Sequence, residues 1–512
     1  MSNKKFFLYS LVAGFFLLSA CSKEVSNSTG WNYNDKKNGG FQKYDDYFEQ
    51  ETGPGLVLIE GGSFMMGQVQ QDVMYDWNNM SRKVSVSSFY MDETEVRNLD
   101  YREYLHWISR VFSENREVFW AALPDTLVWR NKLAYNEPMV EHYFRHPSYQ
   151  NYPVVGVSWI QASDYCIWRT DRVNERILIR EGILNENIDQ SGMENFNTEA
   201  YLNGLYEGAV RQNVVDFNPN NSEGTRQVRE EDGILLPKYR LPTEAEWEFA
   251  ALALIGNSVD ERIYERRIFP WNGHYTRNPE VKHRGKMMAN FTRGRGDQMG
   301  VAGRLNDAAD ITAPVLSYWP NDYGLYCMAG NVNEWVLDVY RSYSFEDVSE
   351  FRPFRGNVFK KFQLGEEGKG TFAERDSLGR MVRERVTTED AFGRINYRQA
   401  DNINYLDGDR QSSINYSDEI ETEITDEEGN VHSIGSTLMY QQRYGNTDET
   451  LYAAEGWFTL VNDHSRVYKG GSWRDRAYYL APGSRRFLDE RKAADDLGFR
   501  CAMTRVGKPT AY

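Results

Sequence analysis

The sequence predicts an α+β protein, in which short strands and short helices alternate between long loops. Three patterns predict this class. The apolar run 56–59, followed by Glu-Gly-Gly, is typical of a buried strand that ends in a turn. Apolar residues from Val96 to Phe112 recur at helical spacing. Ser158 and Thr243 each begin a Ser/Thr-x-x-Glu/Gln sequence, the form of a capping box at the start of a helix.

Further elements follow in chain order. Residues 83–90 alternate between apolar and polar and predict a second strand. Two more helices begin after Ser158 and after Thr243, and Gly256 can end the second of them. Their expected buried residues are Trp159, Ala162 and Cys166 in the first, and Trp247, Ala250, Ala251 and Leu254 in the second.

Composition limits the possible functions. The chain has 512 residues, and its 59 Lys and Arg against 75 Asp and Glu give a formal charge of −16. This balance argues against a nucleic-acid-binding protein, which needs a basic surface. The 40% of apolar residues can form a sizeable core and argue against disorder of the whole chain. At about 150 residues per domain the length predicts three domains, a number that the motifs below reduce to one.

The N-terminus has the form of a bacterial lipoprotein signal. Two lysines precede the apolar run 6–18, which is too short to span a membrane. The Leu-Ser-Ala-Cys that follows resembles a lipobox, so residues 1–20 are predicted to be a signal peptide and Cys21 to be lipidated. An ordinary cleaved signal with an incidental cysteine is the alternative.

The residues after Cys21 predict where the anchor lies. Residue 22 is Ser rather than Asp, which by analogy with bacterial lipoprotein sorting favours the outer membrane. Residues 22–25 contain no acidic run of the kind that sends some lipoproteins to the cell surface, so we expect the periplasmic face. Residues 21–53 are polar and rich in Asn, Lys, Asp and Gly, and are expected to form a lipidated tether.

Six motifs then occur in order along the chain. They are LVLIEGGSFMMG at 56–67, SFYMDETEV at 88–96, YPVVGVSWIQASDYC at 152–166, RLPTEAEWEFA at 240–250, GNVNEW at 330–335, and GGSW at 470–473 with GFRCA at 498–502. Together they resemble the formylglycine-generating enzyme, or sulfatase-modifying factor, family. The resemblance implies one large, loop-rich α+β domain over residues 54–506, related to C-type lectins, with insertions at about 172–238 and about 342–460.

Finer matches at 30–35, 76–79 and 124–174 resemble the gliding-motility lipoproteins of Bacteroidetes. This resemblance implies an outer-membrane lipoprotein that is a structural component of the gliding motility or type IX protein secretion machinery. Its expected partners are other lipoproteins of that machinery and outer-membrane components. The membrane would be reached through the lipid, and no nucleic acid is expected.

The resemblance also tests whether oxidase chemistry is retained, because the family's reaction needs two thiols, spaced Cys-x-x-x-x-Cys, that bind copper. The matching positions hold Asp475 and Leu480, and no Cys occurs within 474–486. Asn333 replaces the tryptophan of the family's Gly-Asn-Val-Trp-Glu-Trp motif. We therefore expect a non-catalytic protein without copper. Its former active-site pocket comprises Asn333, Ser472, Trp473, Asp475 and Leu480.

The resemblance further implies two structural calcium sites, built from the oxygen ligands that this hard cation prefers. The first set is Asn290, the carbonyl of Phe291, Asp307 and the carbonyl of Ala309. The second set is the carbonyls of Gly330 and Val332 and the carboxylate of Glu334. Cys327 stands where the second site has Asp or Asn, which argues against that site because a thiol is a poor calcium ligand. Its alternative is that Glu334 caps backbone amides of its own loop.

Cysteine use predicts one further link. With Cys21 committed to lipid, Cys166, Cys327 and Cys501 remain, an odd number for an oxidising compartment. The family resemblance implies a disulfide between Cys166 and Cys501, which would leave Cys327 a free thiol. Three buried, unpaired thiols are the alternative.

Seven acidic residues lie between positions 418 and 428 of the second insertion. Apolar and β-branched residues alternate with them from Ile420 to Ile424, and Glu-Gly-Asn at 428–430 offers a turn, so we predict a hairpin with one acidic face. This hairpin is either a docking arm for a partner or solvated surface. Two other functions stay open for the whole chain: an oxidase or other enzyme that uses the same pocket, and a glycan-binding module.

Overall fold

The computed structural model describes residues 24–44, 47, 49–68, 78–208, 210–256, 267–293, 309, 311–343, 350–351, 353–356, 360–365, 371–385, 422–425, 431–434 and 464–507. The predicted signal peptide, Cys21 and Asp307 lie outside these residues, as does most of the insertion expected at 342–460. Within the described ranges, no helix has the length and apolar character needed to cross a membrane.

Helices and strands alternate along the chain, which confirms the predicted mixture. The α-helices are α1 (Asn98–Val111), α2 (Arg116–Ala122), α3 (Glu137–His142), α4 (Trp159–Arg180), α5 (Thr198–Leu202) and α6 (Glu244–Leu252). The strands are β1 (Leu56–Ile59), β2 (Gly62–Met66), β3 (Arg82–Val86), β4 (Phe89–Asp92), β5 (Val214–Val215), β6 (Thr225–Arg226), β7 (Tyr239–Arg240), β8 (Asn333–Val339), β9 (Lys360–Phe362), β10 (Arg383–Arg385), β11 (Thr422–Thr425), β12 (Val431–Ile434), β13 (Ser465–Lys469), β14 (Arg486–Asp489), β15 (Leu497–Gly498) and β16 (Ala502–Thr504).

Two four-stranded sheets form the centre of the fold. The first has the order β1-β4-β16-β7 and is antiparallel, with Leu56 opposite Asp92 and Ala502 opposite Met91. The second has the order β14-β13-β8-β15, in which β15 runs parallel to β8 and the other neighbours are antiparallel. Strands between residues 465 and 504 therefore complete both sheets. Strands from early and late in the chain, such as β1 and β16, thus belong to one folded unit.

Both predicted capping boxes are present. The Ser158 hydroxyl accepts a hydrogen bond from the Gln161 N–H at 3.2 Å, and the Gln161 side chain accepts one from the Ser158 N–H at 2.9 Å. Thr243 and Glu246 make the same reciprocal pair, also at 3.2 and 2.9 Å. These bonds satisfy amides that have no partner within the helix, so they fix where α4 and α6 begin.

Two predicted boundaries are wrong. The alternation at 83–90 belongs to two strands, because β3 pairs with β2 whereas β4 pairs with β1 in the first sheet. Helix α6 ends at Leu252, with Ala253 in the left-handed region at φ 46°, and so stops short of Gly256. The Arg267 guanidinium donates to the carbonyls of Leu252 and Ala253, both at 3.2 Å, and satisfies this helix end without a glycine.

Two aromatic cores pack against the sheets. In the first, Tyr101 of α1 and Tyr165 of α4 stack with ring centroids 5.7 Å apart, and Phe499 packs edge-on against both. In the second, Trp247 and Phe249 of α6 are fully buried. Helix α6 contacts β2, β3 and β8, so it joins the β2–β3 pair to the second sheet.

Residues 24–44, the N-terminal lobe, are folded, in contrast to the tether expected over 21–53. Val25 bridges Asn32, and a short 3-10 helix spans Lys36–Asn38. Backbone hydrogen bonds hold the lobe together, rather than the burial of many apolar side chains. Glycines with positive φ allow its tight turns. Its composition therefore resembles that of a tether although its backbone is ordered.

The predicted hairpin of the second insertion is confirmed in its pairing. Strands β11 and β12 are antiparallel, with Thr422 opposite Ile434 and Thr425 opposite Val431. The turn and the acidic side chains lie outside what the structure describes, so the acidic face stays a prediction. In the first expected insertion, Phe196, Tyr201 and Tyr206 form a small core of their own.

Candidate functional site

The candidate site lies at one end of the second sheet. Asn333 opens β8, Ser472 follows β13 and Arg486 opens β14, so three neighbouring strands carry it. Asp475 lies in the loop after Ser472. Its carboxylate accepts hydrogen bonds from the Ser472 N–H at 2.9 Å, the Ser472 hydroxyl at 2.7 Å and the Asn333 amide at 3.3 Å. Arg486 donates to both of its oxygens, at 2.6 and 2.7 Å.

Asp496 completes this group of five residues, which we call the open centre. Its Oδ2 lies 3.0 Å from the Ser472 hydroxyl and 3.2 Å from the Asn333 amide. Burial raises the pKa of Asp475, but the hydrogen bonds and charge of Arg486 outweigh this effect and lower that pKa overall. Burial, and then the negative charge of Asp475, raise the pKa of Asp496. A protonated Asp496 can donate to Ser472 while Ser472 donates its single proton to Asp475.

The two positions that matched the family's thiols have different surroundings. Asp475 is a salt-bridged carboxylate with a side chain only 12% exposed, and the groups of Ser472, Asn333 and Arg486 use its acceptor capacity. Leu480 is fully buried in an apolar core with Phe269. Neither position presents a sulfur ligand of the kind that Cu(I) prefers. Of the predicted pocket, the structure thus brings Asn333, Ser472 and Asp475 together and places Leu480 in the core.

Trp473, the remaining pocket residue, flanks the open centre. Its ring stacks against Trp129 with centroids 6.1 Å apart and planes inclined by 21°. Its backbone N–H donates to the Asn331 carbonyl at 2.9 Å, and its ring N–H donates to the Asp495 carbonyl at 3.4 Å. Because Trp129 is buried, the stack belongs to the core and is not an open aromatic platform.

Two residues of the open centre, Arg486 and Asp496, were missed from the sequence. The one sequence signal available for Arg486 was indirect, because a buried carboxylate at position 475 needs a cation nearby. The nearby segment offers four candidates, Arg474, Arg476, Arg485 and Arg486. Only the pairing of β14 with β13, which sets Arg486 opposite Tyr468, selects the last of them.

The first predicted calcium set is only partly described. The buried Asn290 donates through its amide to the Ile311 carbonyl at 2.8 Å and to Asn331 Oδ1 at 3.3 Å. The Asn290 carbonyl accepts from the Asn331 N–H at 2.9 Å. Phe291 packs in an apolar core. Because Asp307 lies outside the described residues, this calcium site stays a prediction.

The second predicted calcium set includes a carboxylate that already has a cation beside it. Both Glu334 oxygens accept from the Arg500 guanidinium at 2.6 Å, and one also accepts from the Trp247 ring N–H at 2.7 Å. Glu334 is fully buried, so calcium would put a second cation on a carboxylate that is already neutralised. The Cys327 thiol donates to the Val315 carbonyl at 3.4 Å, and burial raises its pKa well above the usual value. Among the described side chains, no group of three or more His, Cys, Asp or Glu is placed to hold a metal ion.

Both oxygens of Glu334 are thus bonded to Arg500, and the second calcium site and its alternative stay predictions. A second carboxyl, Glu95, accepts from the Asn331 amide at 2.8 Å in the same region. Burial, and then the negative charge of Glu334, raise the pKa of Glu95 well above its usual value. This buried carboxyl was also missed from the sequence.

The two cysteines predicted to form a disulfide are neighbours. The sulfur atoms of Cys166 and Cys501 lie 3.5 Å apart, and both residues are buried. Since an S–S bond is about 2.05 Å long, the structure holds two thiols in contact, and the disulfide stays a prediction. Burial, and then the neighbouring Cys166, raise the pKa of Cys501 well above the usual value. Cys327 is a third buried thiol.

Comparison with known proteins identifies the domain. A family model of the sulfatase-modifying factor enzyme 1-like domain matches residues 43–379. The chain belongs to this family. The formylglycine-generating enzyme of Mus musculus is 24% identical over 306 residues, which cover 55% of this chain and 58% of that protein. The inactive C-alpha-formylglycine-generating enzyme 2 of Bos taurus is 25% identical over 307 residues, which cover 56% of this chain and 71% of that protein.

The match thus spans less than two thirds of the mouse enzyme. The solved structure of PvdO from Pseudomonas aeruginosa aligns with 88% of this chain and 94% of that chain, at 14% identity and a TM-score of 0.40. The mouse and cattle relatives carry the names of an active enzyme and of an inactive protein, respectively. Membership of the sulfatase-modifying factor family therefore leaves the activity to be argued from the residues of this chain.

A second charged group, the closed centre, links Glu244 and Glu248 of the matched range to Lys469 and Arg485, which lie beyond residue 379. Arg485 donates to both oxygens of Glu244 at 2.7 and 2.9 Å. Lys469 donates to Glu244 at 3.2 Å and to Glu248 at 2.7 Å. All four side chains are almost completely buried. Burial raises the pKa of Glu244, but the two cations outweigh it and lower that pKa to about 2.

Proposed function

We propose that this protein is a non-catalytic, lipid-anchored component of the gliding-motility and type IX secretion machinery, held on the periplasmic face of the outer membrane. The residues at 30–35, 76–79 and 124–174 that resemble gliding-motility lipoprotein J, and the lipobox at Cys21, support the location and the pathway. The non-catalytic part of the proposal rests on the surroundings of Asp475 and Leu480, which stand in place of the two thiols that the oxidase needs.

A formylglycine-generating oxidase needs two soft sulfur ligands for copper. Asp475 is instead engaged by Arg486, and Leu480 is enclosed in the apolar core. Removing one partner of this partly exposed ion pair should cost about 1–3 kcal/mol, so we assign the pair a structural role. The existence of a relative named as inactive supports the same conclusion.

An exposed apolar surface supports a role in assembly. Leu133 and Tyr135 are 98% and 84% exposed, and Trp120 and Leu127 are also exposed in the same segment. The segment 120–135 runs from the end of α2 into the loop before α3 and overlaps, from residue 124 on, the region that resembles the gliding lipoproteins. Exposed apolar side chains that are close together in the chain favour a protein-interaction surface.

The test is native sizing of a tagged copy from gently solubilised outer membranes, with mass spectrometry of the proteins that accompany it. We expect a large assembly that contains other lipoproteins of the machinery. The double variant Leu133→Ser/Tyr135→Ser should release the protein from this assembly, whereas the control Val281→Ser, also at an exposed apolar residue, should not. A wild-type protein that runs alone, at the mass of one chain, which is below 59.6 kDa once the signal peptide is removed, would contradict the assembly role.

The non-catalytic part has its own test. The purified protein is assayed for copper content and for conversion of a cysteine peptide to formylglycine, with an active formylglycine-generating enzyme as positive control. We expect neither copper nor product. Stoichiometric copper, or product above the level of an Asp475→Ala/Leu480→Ala variant, would overturn this part and leave the assembly result to stand or fall separately.

A further inference from the structure

The N-terminal lobe, residues 24–44, is a small ordered unit. The Ser26 N–H donates to the Trp31 carbonyl at 2.8 Å, and the Asn34 N–H donates to the Phe41 carbonyl at 2.9 Å. The Asn34 side chain donates to the Lys43 carbonyl at 3.0 Å and accepts from the Lys43 N–H at 2.8 Å. These bonds close the lobe into a fixed shape.

The lobe is also fixed to the body of the protein. Arg226 of β6 donates to the Gln42 side chain at 3.0 Å and to the Tyr44 hydroxyl, and it is held in place by Asp232 at 2.7 Å. Gly40 approaches the backbone so closely that an added Cβ would lie 1.9 Å from the Phe217 carbonyl oxygen. The lobe therefore cannot move far from the body without breaking the hydrogen bonds of Gln42 and Tyr44 to Arg226.

The outer surface of the lobe combines exposed aromatic rings with positive charge. Trp31 and Phe41 are 58% and 68% exposed, and the Phe41 ring lies 5.7 Å from that of Tyr33. Three lysines in the lobe, Lys36, Lys37 and Lys43, give residues 24–44 a net charge of +1, although the whole chain carries −16. Exposed Trp and Phe beside lysines are typical of surfaces that lie in the headgroup region of a bilayer.

Chain length limits how far this surface can be from the membrane. Cys21 lies three residues before Glu24, with which the described lobe begins, and three Cα–Cα steps span at most about 11 Å. Acyl chains on Cys21 enter the bilayer, so they hold the lobe within about that distance of the headgroups. A flexible tether of some thirty residues would have permitted a much larger separation.

We propose that the N-terminal lobe is a membrane-contact surface, in which Trp31 and Phe41 lie in the headgroup region of the phospholipid bilayer that holds the lipid of Cys21. The lobe then sets a fixed orientation of the body relative to the membrane. This inference rests on the lipid anchor of the proposed function, and it adds a second, non-covalent contact with the same membrane.

The test uses the full chain, processed and acylated in a bacterial host, in vesicles of phosphatidylethanolamine and phosphatidylglycerol. A share of the lipid carries bromine near the headgroup end of the acyl chains, where it quenches tryptophan fluorescence at short range. The contribution of Trp31 is the difference between the wild type and Trp31→Phe. We expect bromination to quench this difference, and to leave the corresponding Trp120→Phe difference unchanged, since Trp120 is 66% exposed but lies in the segment 120–135.

A second arm removes the lipid. The Cys21→Ser chain, made without the signal peptide, is sedimented with the same vesicles, and we expect weak binding that falls about tenfold in a Trp31→Ser/Phe41→Ser variant, because two aromatic side chains no longer leave water. Leu133→Ser/Tyr135→Ser serves as the matched control and should bind as the parent does.

The outcomes separate the two proposals. Absence of an acyl group from the mass of the purified chain would overturn the anchor, and the Cys21→Ser arm would still decide whether the lobe binds lipid. An acylated chain in which Trp31 is not quenched, or an unacylated chain that binds equally well without both rings, would overturn the membrane contact. The anchor would then stand alone.

Discussion

Two adjacent arginines lead to two charged centres that differ in burial and in charge balance. Arg485 reaches the closed centre, where Glu244 and Glu248 each have a cation within 3.2 Å. Arg486 reaches the open centre, where it pairs with Asp475 while Asp496 has no cation bonded to it among the contacts described. Successive residues along a strand point to opposite faces, which explains how neighbours serve different centres.

The difference shows how burial separates two charged groups that adjacent residues serve. The closed centre joins α6 to β13 and to Arg485, the residue before β14, and is almost completely buried. The open centre joins the ends of β8, β13 and β14 through a partly exposed network. Substituting charged residues of the closed centre should therefore lower the free energy of unfolding more than substituting those of the open centre.

The largest effect is expected from the closed centre. Lys469→Met removes the cation bonded to Glu248 and one of the two cations bonded to Glu244, so the free energy of unfolding should fall by about 3–5 kcal/mol. The control is Lys238→Met, which removes an exposed lysine paired with Glu199 and should cost less than about 1 kcal/mol. Urea unfolding followed by tryptophan fluorescence measures both. Equal losses in the two variants would contradict the distinction between buried and exposed pairs.

The next effect concerns the apolar core around Leu480. Leu480→Ala creates a cavity in a core that includes Phe269 and Phe291, and should lower the free energy of unfolding by about 2–4 kcal/mol. The same change at the exposed Leu127 should cost about 0.5 kcal/mol or less. If Leu480→Ala lowers the free energy of unfolding no more than the control does, Leu480 is not a core residue, and the loss of the pocket is contradicted.

Arg486→Gln should have a smaller effect than either, about 1–3 kcal/mol, because water reaches part of the Arg486–Asp475 pair and can solvate the carboxylate left behind. The informative measurement is a double-mutant cycle with Asp475→Asn in guanidinium unfolding. Removing both charges should cost less than the sum of the single losses. Strict additivity would show that the two side chains do not stabilise each other.

The smallest effect is a difference in pH dependence. The pKa of Asp496 is raised by burial and by Asp475, so its favourable contribution is present at low pH and is lost as pH rises through the raised pKa. The pKa of Glu244 is lowered to about 2, so its contribution is present above its ordinary pKa and is lost as pH falls towards 2. Asp496→Asn should reduce the loss of stability with rising pH by an amount on the order of 1 kcal/mol. It should leave the loss at low pH, which Glu244 causes, unchanged. Unfolding midpoints across pH check this, and an unchanged profile above the ordinary aspartate pKa would contradict it.

Local patterns were enough to predict some elements. The capping boxes at Ser158 and Thr243 are confirmed because their hydrogen bonds join residues three apart, and the β11–β12 hairpin is confirmed for a similar reason. The predicted end of α6 was wrong because the side chain of Arg267, which lies outside the helix, donates to the carbonyls at the helix end. The same limit applies to the lobe, whose order depends on contacts with Arg226.

The candidate site was predictable only in its composition. The family motifs identified Asn333, Ser472 and Asp475 as neighbours, but not the arginine that neutralises the new carboxylate. Glu334 and Arg500 are 166 residues apart in the chain, and no spacing rule connects them. Side chains that meet through long-range strand pairing can be located only once the register of the sheets is known.

The sheet order has a consequence for how such a chain is made. Strand β4 lies between β1 and β16, and Ala502 pairs with Met91. Neither main sheet can close until the last strands are available, and contacts this distant in the chain form slowly. A chain that is still being synthesised therefore holds β4 and β8 without their partners β16 and β13, and both sheets close only when the last part of the chain is available.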